Sequence, residues 1–151
     1  MGKNKLWIVI TVIIVIIIVI MAFLYNYSIS EILAVYHIKT KSKKIQLINP
    51  IFINKIVSMT IDDKEVDPCY EFYFEKGYHY VTFKIIKTNT TNSMFSLITD
   101  LEEIILERFD TSSVTDMKDM FFGCSSLDDV RMRNLKLNNV KNMECFLIVC
   151  L

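Results

Sequence analysis

A tandem repeat of 26 residues constrains this chain of 151 residues more than any other feature. Three residues of one complete copy recur 26 positions later: Val114, Met117 and Cys124 return as Val140, Met143 and Cys150. Four others match an earlier, partial copy at the same offset: Met120, Phe121, Leu127 and Val130 follow Met94, Phe95, Leu101 and Ile104. A constant period of this length is typical of a solenoid, in which each unit buries its apolar face against its neighbours.

Within one unit the pattern changes from helical to extended. Ser113 offers an N-cap oxygen, and Val114 and Met117 begin an apolar face at helical spacing, which Gly123 would end. After Gly123, apolar and charged residues alternate around Val130, which predicts a short strand. Stacked units would form a parallel sheet with helices behind it. The predicted fold class is therefore α/β, a short leucine-rich-repeat solenoid.

The runs FDTSSVTDM and MFFGCSSL, within residues 109–127, resemble the repeat of BspA-like leucine-rich-repeat surface proteins. The repeat of that family is close to FDTSxVTxMxxMFxGCxxL, where x is any residue. The resemblance extends over residues 89–151, under half of the chain. It implies a surface-displayed, non-enzymatic protein of recognition or adhesion.

The N-terminal part contains an apolar segment, residues 6–24, in which Thr11 is the one polar side chain. As a helix, 19 residues span roughly 28 Å, enough to cross a bilayer core. A cleaved signal peptide is the alternative, but the segment is longer than a usual signal core. Only Ser28 and Ser30 suggest a cleavage site. We therefore predict a retained signal anchor over residues 6–25.

The lysines around this segment predict its orientation. Lys3 and Lys5 precede it, whereas the first lysine after it is Lys39. The positive-inside rule then places residues 1–5 in the cytosol and exports the C-terminal part. The predicted protein is a single-pass membrane protein with its repeats at the cell surface or in the secretory pathway.

Two segments separate the span from the repeats. For residues 26–45 we predict a juxtamembrane helix and a basic linker, which is either a spacer or a contact for anionic lipid. For residues 46–88 the alternation predicts a small antiparallel β module that caps the repeats of residues 89–151. Residues 45–151 carry 11 basic and 16 acidic side chains, which does not favour nucleic-acid binding.

The last repeat is expected to be truncated. Val149 stands where the complete copy has Gly123, and the final residues, FLIVCL, form an apolar end. Such an end favours self-association through the C-terminal repeat. Either further repeats belong to the array or the chain is a fragment of a longer repeat protein, and we favour the fragment.

Catalytic chemistry has no basis in the sequence. His37 and His79 lie in no motif, and no nucleophile elbow, phosphate loop or metal-ligand spacing occurs, so we predict neither cofactor nor enzyme. For the four cysteines we expect buried thiols, with a disulfide as the alternative.

The outward positions of the two predicted repeat strands are the candidate ligand face: Glu103, Ile105, Glu107, Asp129, Arg131 and Arg133. At the repeat offset Glu107 would pair with Arg133, while the like-charged Glu103 and Asp129 would accept a cation or a basic ligand. An ordinary solvated sheet face is the alternative. Asn89 begins an Asn-Thr-Thr acceptor sequence for N-glycosylation.

The function predicted from these features is a membrane-anchored surface protein that binds a protein or glycan through its repeat face. The alternative is a structural or non-functional fragment.

Overall fold

The computed structural model describes residues 3–27 and 29–147. One helix, α1 (Lys3–Tyr27), comes first in the chain. Eight strands follow, which are β1 (Ile29–Ile38), β2 (Lys43–Gln46), β3 (Ile56–Ile61), β4 (Lys64–Val66), β5 (Glu71–Phe74), β6 (Gly77–Ile86), β7 (Leu101–Arg108) and β8 (Asp129–Arg131). A 3-10 helix, Pro50–Lys55, precedes β3.

Helix α1 contains the predicted span. Its segment Trp7–Leu24 has a mean hydropathy of 3.4 and none of it is buried. The Thr11 hydroxyl donates to the carbonyl of Ile8 at 2.8 Å, so the one polar side chain of the segment is satisfied within the helix. The helix is long and apolar enough to cross a membrane, although a signal sequence would share both properties.

Strand β1 lies where a juxtamembrane helix was predicted, and that prediction is wrong. All ten residues pair antiparallel with β6, from Ile29 opposite Ile86 to Ile38 opposite Gly77. The other edge of β1 pairs antiparallel with β7. The buried residues Ile32, Ala34, Tyr36 and Ile38 alternate along the strand, the period that one buried sheet face requires.

The six-stranded sheet has the order β4-β3-β6-β1-β7-β8, and the predicted leucine-rich-repeat solenoid is wrong. Only β7 and β8 run parallel, while the other four neighbouring pairs are antiparallel. The predicted strands of the β module are present as β3, β5 and β6. They are not a separate cap, however, because β1 joins β6 to the repeat strand β7 in one sheet.

Turns, and not a helix, connect the repeat strand β7 to the next repeat strand, β8. Alternate amides of one unit donate to carbonyls of the next: Met117 to Asn142 at 2.8 Å, Asp119 to Glu144 at 2.9 Å and Phe121 to Phe146 at 3.1 Å. An α-helix would need these amides for bonds within the unit. The predicted helix is therefore absent, because these backbone amides donate to the next unit and not to carbonyls of their own unit.

Backbone conformation repeats with the same period. Ser93, Asp119 and Cys145, each 26 residues apart, all have positive φ values, of 57°, 53° and 53°. Leu97 and Gly123 form a second such pair, with φ of 62° and 71°. Left-handed residues interrupt a right-handed helix, so these positions also explain why the units do not become helical. Gly123, which was expected to end a helix, lies instead in a turn.

The core lies between one face of the six-stranded sheet and the layer of turns. A series of aromatic contacts crosses it, with ring centroids 6.1 Å apart for Phe83 and Phe95, 5.8 Å for Phe95 and Phe121, and 5.4 Å for Phe121 and Phe146. The Cys124 thiol is buried and lies 2.9 Å from the carbonyl oxygen of Phe95. Burial raises the pKa of this thiol to about 11, as expected for a structural thiol.

The other cysteines and the basic segment complete the description. Cys69 and Cys145 are also free thiols, while Cys150 and Val149 lie outside the described residues. Two of the four lysines of the predicted basic linker, Lys43 and Lys44, lie in β2, which pairs with β5 in a separate two-stranded sheet. There Lys43 forms an ion pair with Asp100 at 2.8 Å, and Lys44 pairs with Glu71.

Candidate binding face

The outer face of the six-stranded sheet, opposite the core, carries the predicted ligand residues. Strands β7 and β8 pair Glu103 with Asp129 and Ile105 with Arg131, so the strand register equals the repeat period. Glu107 and Arg133 form the expected pair, although their closest charged atoms are 3.9 Å apart. The structure therefore brings five of the six predicted residues together on two adjacent strands, and Arg133 lies just beyond the end of β8.

Arg131 occupies the place where a cation was expected. Its Nη2 lies 2.7 Å from Glu103 Oε1, and its Nε donates to Asp129 Oδ2 at 2.9 Å. That Glu103 oxygen has no well-directed hydrogen bond among the described residues, so its contact with Arg131 is mainly ionic. The two carboxylates raise the pKa of Arg131, first through the bond to Asp129 and then through the charge of Glu103. The like-charged pair is thus neutralised in part by the chain itself.

A β-bulge adds another carboxylate to this face. Val35 of β1 lies opposite Glu103, but the next residue, Tyr36, lies opposite Leu101. Glu102 is therefore the extra residue of β7, and it reaches the β1 side chain His37, with Oε2 2.7 Å from Nδ1. Bulges commonly redirect a side chain in this way.

Strand β6 supplies two tyrosines next to these carboxylates. Tyr78 and Tyr80 are each 53% exposed. The ring of Tyr78 stacks on His37 with centroids 4.0 Å apart, and its hydroxyl donates to Glu102 Oε1 at 3.3 Å. Partial desolvation and the nearby Glu102 charge raise the pKa of Tyr78. Tyr80 and Glu103 both lie opposite Val35, so they occupy one row of the sheet with Val35 between them.

Sequence reasoning missed this half of the face because it treated β1 as a helix. Polar and apolar residues alternate along β6 in the sequence, but that pattern does not show which strand lies beside its polar face. We define the tyrosine–carboxylate patch as Tyr78, Tyr80, His37, Glu102 and Glu103. It combines large, partly exposed aromatic area with acidic groups that are already held in place by neighbours.

The remaining candidates lie elsewhere. His79 stacks on Phe74 with centroids 4.3 Å apart, and its ring nitrogens contact Asp62 at 2.8 Å and the Glu75 carbonyl at 3.0 Å. Among the described residues, no group of three or more histidine, cysteine or acidic side chains could hold a metal ion. Asn89 is exposed in the turn after β6, and its glycosylation stays a prediction.

A family model described as "Mycoplasma protein of unknown function, DUF285" matches residues 72–149, which is just over half of the chain. The chain belongs to the DUF285 family. The DUF285 match contains β6, β7 and β8 and therefore most of the outer face, whereas α1 and β1 precede it. A comparison with curated proteins finds no match, and a comparison with solved structures finds none either.

Proposed function

We propose that this DUF285 protein is a membrane-anchored surface protein that binds a macromolecular partner, without catalysis, through the outer face of its sheet. The observation that carries the proposal is the tyrosine–carboxylate patch, in which half-exposed Tyr78 contacts Glu102 and half-exposed Tyr80 lies in the same row as Glu103. Tyrosine is enriched at protein interfaces because it offers a large contact area with little loss of conformational entropy. The BspA-like motif of residues 109–127 supports a recognition role as well.

The charge of the patch favours a basic protein segment over a glycan. Glu102, Glu103 and the neighbouring Asp129 are offset by one arginine, Arg131, so this part of the face keeps an acidic excess. Acidic surfaces attract basic partners and repel acidic ones. A lysine or arginine of the partner could replace Arg131 as the ion-pair partner of these carboxylates, since the Arg131 side chain is 49% exposed. Glycan binding is the alternative outcome of the test below.

Helix α1 supports the anchoring part of the proposal. It is an apolar helix of membrane-spanning length close to the N-terminus. The lysines before it favour an exported C-terminal part under the positive-inside rule.

A second candidate, a unit of a larger repeat assembly without its own ligand, is favoured by one observation. The amides of Met143 and Cys145 have no backbone acceptor within residues 29–147. Their equivalents Met117 and Asp119 both donate to the following unit. A further unit, from a longer chain or from a second copy, would satisfy them.

The test is a parallel screen of the full chain, held in lipid nanodiscs, against a random-peptide display library and a glycan array. We expect basic peptides to be enriched. Tyr80→Ala should weaken their binding at least about tenfold, since truncation of a central interface tyrosine typically has an effect of that size. Tyr73→Ala is the matched control, because Tyr73 is 63% exposed but lies in the two-stranded sheet.

Three results would decide between the alternatives. Enrichment of glycans alone, lost in Tyr80→Ala, would retain the face and change the partner class. Equal weakening by both tyrosine variants would show that the outer face is not the binding surface. No enriched ligand in either screen would favour the second candidate.

A further inference from the structure

Strand β8 is the last strand of the six-stranded sheet in the part of the chain that the structure describes. On the edge next to β7, the amide of Asp128 donates to the Glu102 carbonyl at 2.9 Å. Backbone groups of successive residues point to opposite sides of a strand. The amides and carbonyls of Asp129 and Arg131 therefore point away from β7. We call this side of β8 the open edge.

The core beside the open edge is covered less completely than the core one repeat earlier. Ile104 and Leu106 of β7 are fully buried, whereas the residues 26 positions later, Val130 and Met132, are only partly buried. The difference arises because β8 covers β7, while no described strand lies beyond β8. An apolar side chain next to Val130 would remove apolar surface from water, which favours association at this edge.

The third repeat unit already lies beneath the position next to the open edge. Its Asn142 carbonyl accepts a hydrogen bond from the Met117 amide at 2.8 Å, and Phe146 packs on Phe121 with ring centroids 5.4 Å apart. The layer of turns therefore extends one unit, about 4.8 Å, beyond β8. A second copy that paired its own β8 here would bring its own turns into the same space. A single extended segment fits this position better than a whole domain does.

Asp129 determines which side chains the open edge accepts. Arg131 contacts Glu103 at 2.7 Å and Asp129 at 2.9 Å, so two carboxylates share one arginine. The Asp129 side chain is 51% exposed, and a neighbouring strand would place a side chain about 5 Å from it. A basic side chain at that position is favoured, whereas an acidic one is repelled. Charged residues also protect an edge strand against indiscriminate pairing, so the open edge is selective.

We propose that the open edge of β8 binds an extended segment of a partner protein, which adds to the sheet as a seventh strand. The segment runs parallel to β8, as β8 runs parallel to β7. It carries an aliphatic residue beside Val130 and a basic residue beside Asp129. In strand addition of this kind, main-chain hydrogen bonds supply affinity and alternate side chains supply specificity. The site is separate from the tyrosine–carboxylate patch, and it does not depend on the membrane anchorage proposed above.

The test is the fluorescence anisotropy of labelled peptides added to the full chain in detergent micelles. The probe is residues 125–133, SSLDDVRMR, with the changes Asp129→Lys and Arg131→Thr. The second change prevents repulsion by Arg131 of the protein. We expect the probe to bind about two- to fivefold more tightly than a peptide with Arg131→Thr alone, because a like-charged pair is removed. Adding Val130→Asn to the probe should weaken its binding at least about tenfold, because the apolar contact is lost.

Methylation of the peptide amides tests the backbone pairing itself. In the register of the repeat, the peptide amides at positions 130 and 132 face β8, while those at positions 129 and 131 point away. N-methylation at 130 and 132 should therefore abolish binding. N-methylation at 129 and 131 is the matched control and should leave binding unchanged. Equal effects of the two methylation patterns would overturn strand addition.

Changes in the protein provide the complementary arm. Val130→Asn in the full chain should weaken binding of the probe at least about tenfold, and unchanged hydrogen exchange in β1 and β6 would confirm that this variant is folded. A folded variant that binds the probe like the unchanged protein would refute the proposed edge. If the probe is displaced as the protein concentration rises, while exchange of the Asp129 and Arg131 amides slows, a second copy occupies the edge. That result would overturn the proposal of a single extended segment.

Discussion

Replacement of Phe121 by alanine tests the stacking of the repeat units most directly. Phe121 is fully buried, and its ring lies between those of Phe95 and Phe146. Removing a buried phenylalanine costs about 3–5 kcal/mol, and each lost aromatic pair adds about 0.5–1.5 kcal/mol beyond the buried area. Because two pairs are lost, we expect about 4–5 kcal/mol, at the upper end of the first range.

The adjacent residue gives a matched control. Phe122 is only partly buried, and Phe122→Ala removes the same atoms from the neighbouring position. Partial burial of this side chain corresponds to about 1 kcal/mol. For a domain of this size 1 kcal/mol shifts Tm by roughly 4 °C. The expected decreases are therefore about 16–20 °C for Phe121→Ala and about 4 °C for Phe122→Ala.

The assay is thermal unfolding of the full chain in detergent micelles, followed by near-UV circular dichroism of the packed aromatic side chains. None of the α1 segment Trp7–Leu24 is buried, so its aromatic side chains should contribute little to the change in signal when the sheet domain unfolds. If the two variants unfold within about 2 °C of each other, Phe121 does not lie between stacked units. The inward face assigned to the repeats would then be wrong.

Two further predictions concern acid stability and assembly. Burial tends to raise the pKa of Asp110, but hydrogen bonds from Ser112 and Lys87 outweigh it and lower the pKa from 3.8 to about 2. Because the pKa of Asp110 is lower in the folded chain, the ionised carboxylate stabilises the fold fully above pH 3.8. This contribution disappears as the pH falls towards 2. For a carboxylate 31% exposed we expect about 1 kcal/mol after solvent screening. Asp110→Asn should lose that amount at pH 7 in urea unfolding, and an unchanged acid profile would contradict the assignment. The amide of Met143 has no backbone acceptor among residues 29–147, and pairing with a second copy would supply one, so light scattering of the full chain in detergent should show a dimer or larger assembly. A monomer at every concentration would oppose pairing through the third unit.

The repeat period predicted the register of the sheet but not the conformation of the units. Glu103 pairs with Asp129 as the offset requires, because equal spacing along the chain brings equivalent residues side by side. Val114 and Met117 are buried, as the apolar pattern predicted. That pattern fits a helical face and a sequence of turns equally well. The hydrogen bonds to the next unit decide between them, and no local residue preference encodes those bonds.

Strand β1 shows a different difficulty, since its sequence does not alternate. Residues 32–36 form a continuous apolar run, which fits a buried strand and a helix equally well. Glu31, Leu33 and Ala34 are good helix formers that directly follow a long helix, so a helical continuation was predicted. Pairing with β6 and β7 overrides that preference. The tyrosine–carboxylate patch depends on this strand, and for that reason the sequence predicted only one of its five residues, Glu103.

The position of β1 also decides what the proposed binding face can reach. A flexible segment of 20 residues after the span would let a domain sample a wide volume above the membrane. Here the strand that follows α1 is the central strand of the sheet, hydrogen-bonded on both edges. The sheet therefore begins at the anchor, and its far end lies about 33 Å along β1. Tyr78 and Glu102 lie near that far end. If α1 spans the membrane, the length of β1, and not a flexible linker, sets their distance from the lipid surface. To reach these residues, a partner must then come within about 33 Å of the lipid surface. This requirement favours partners that have a segment extending towards the membrane.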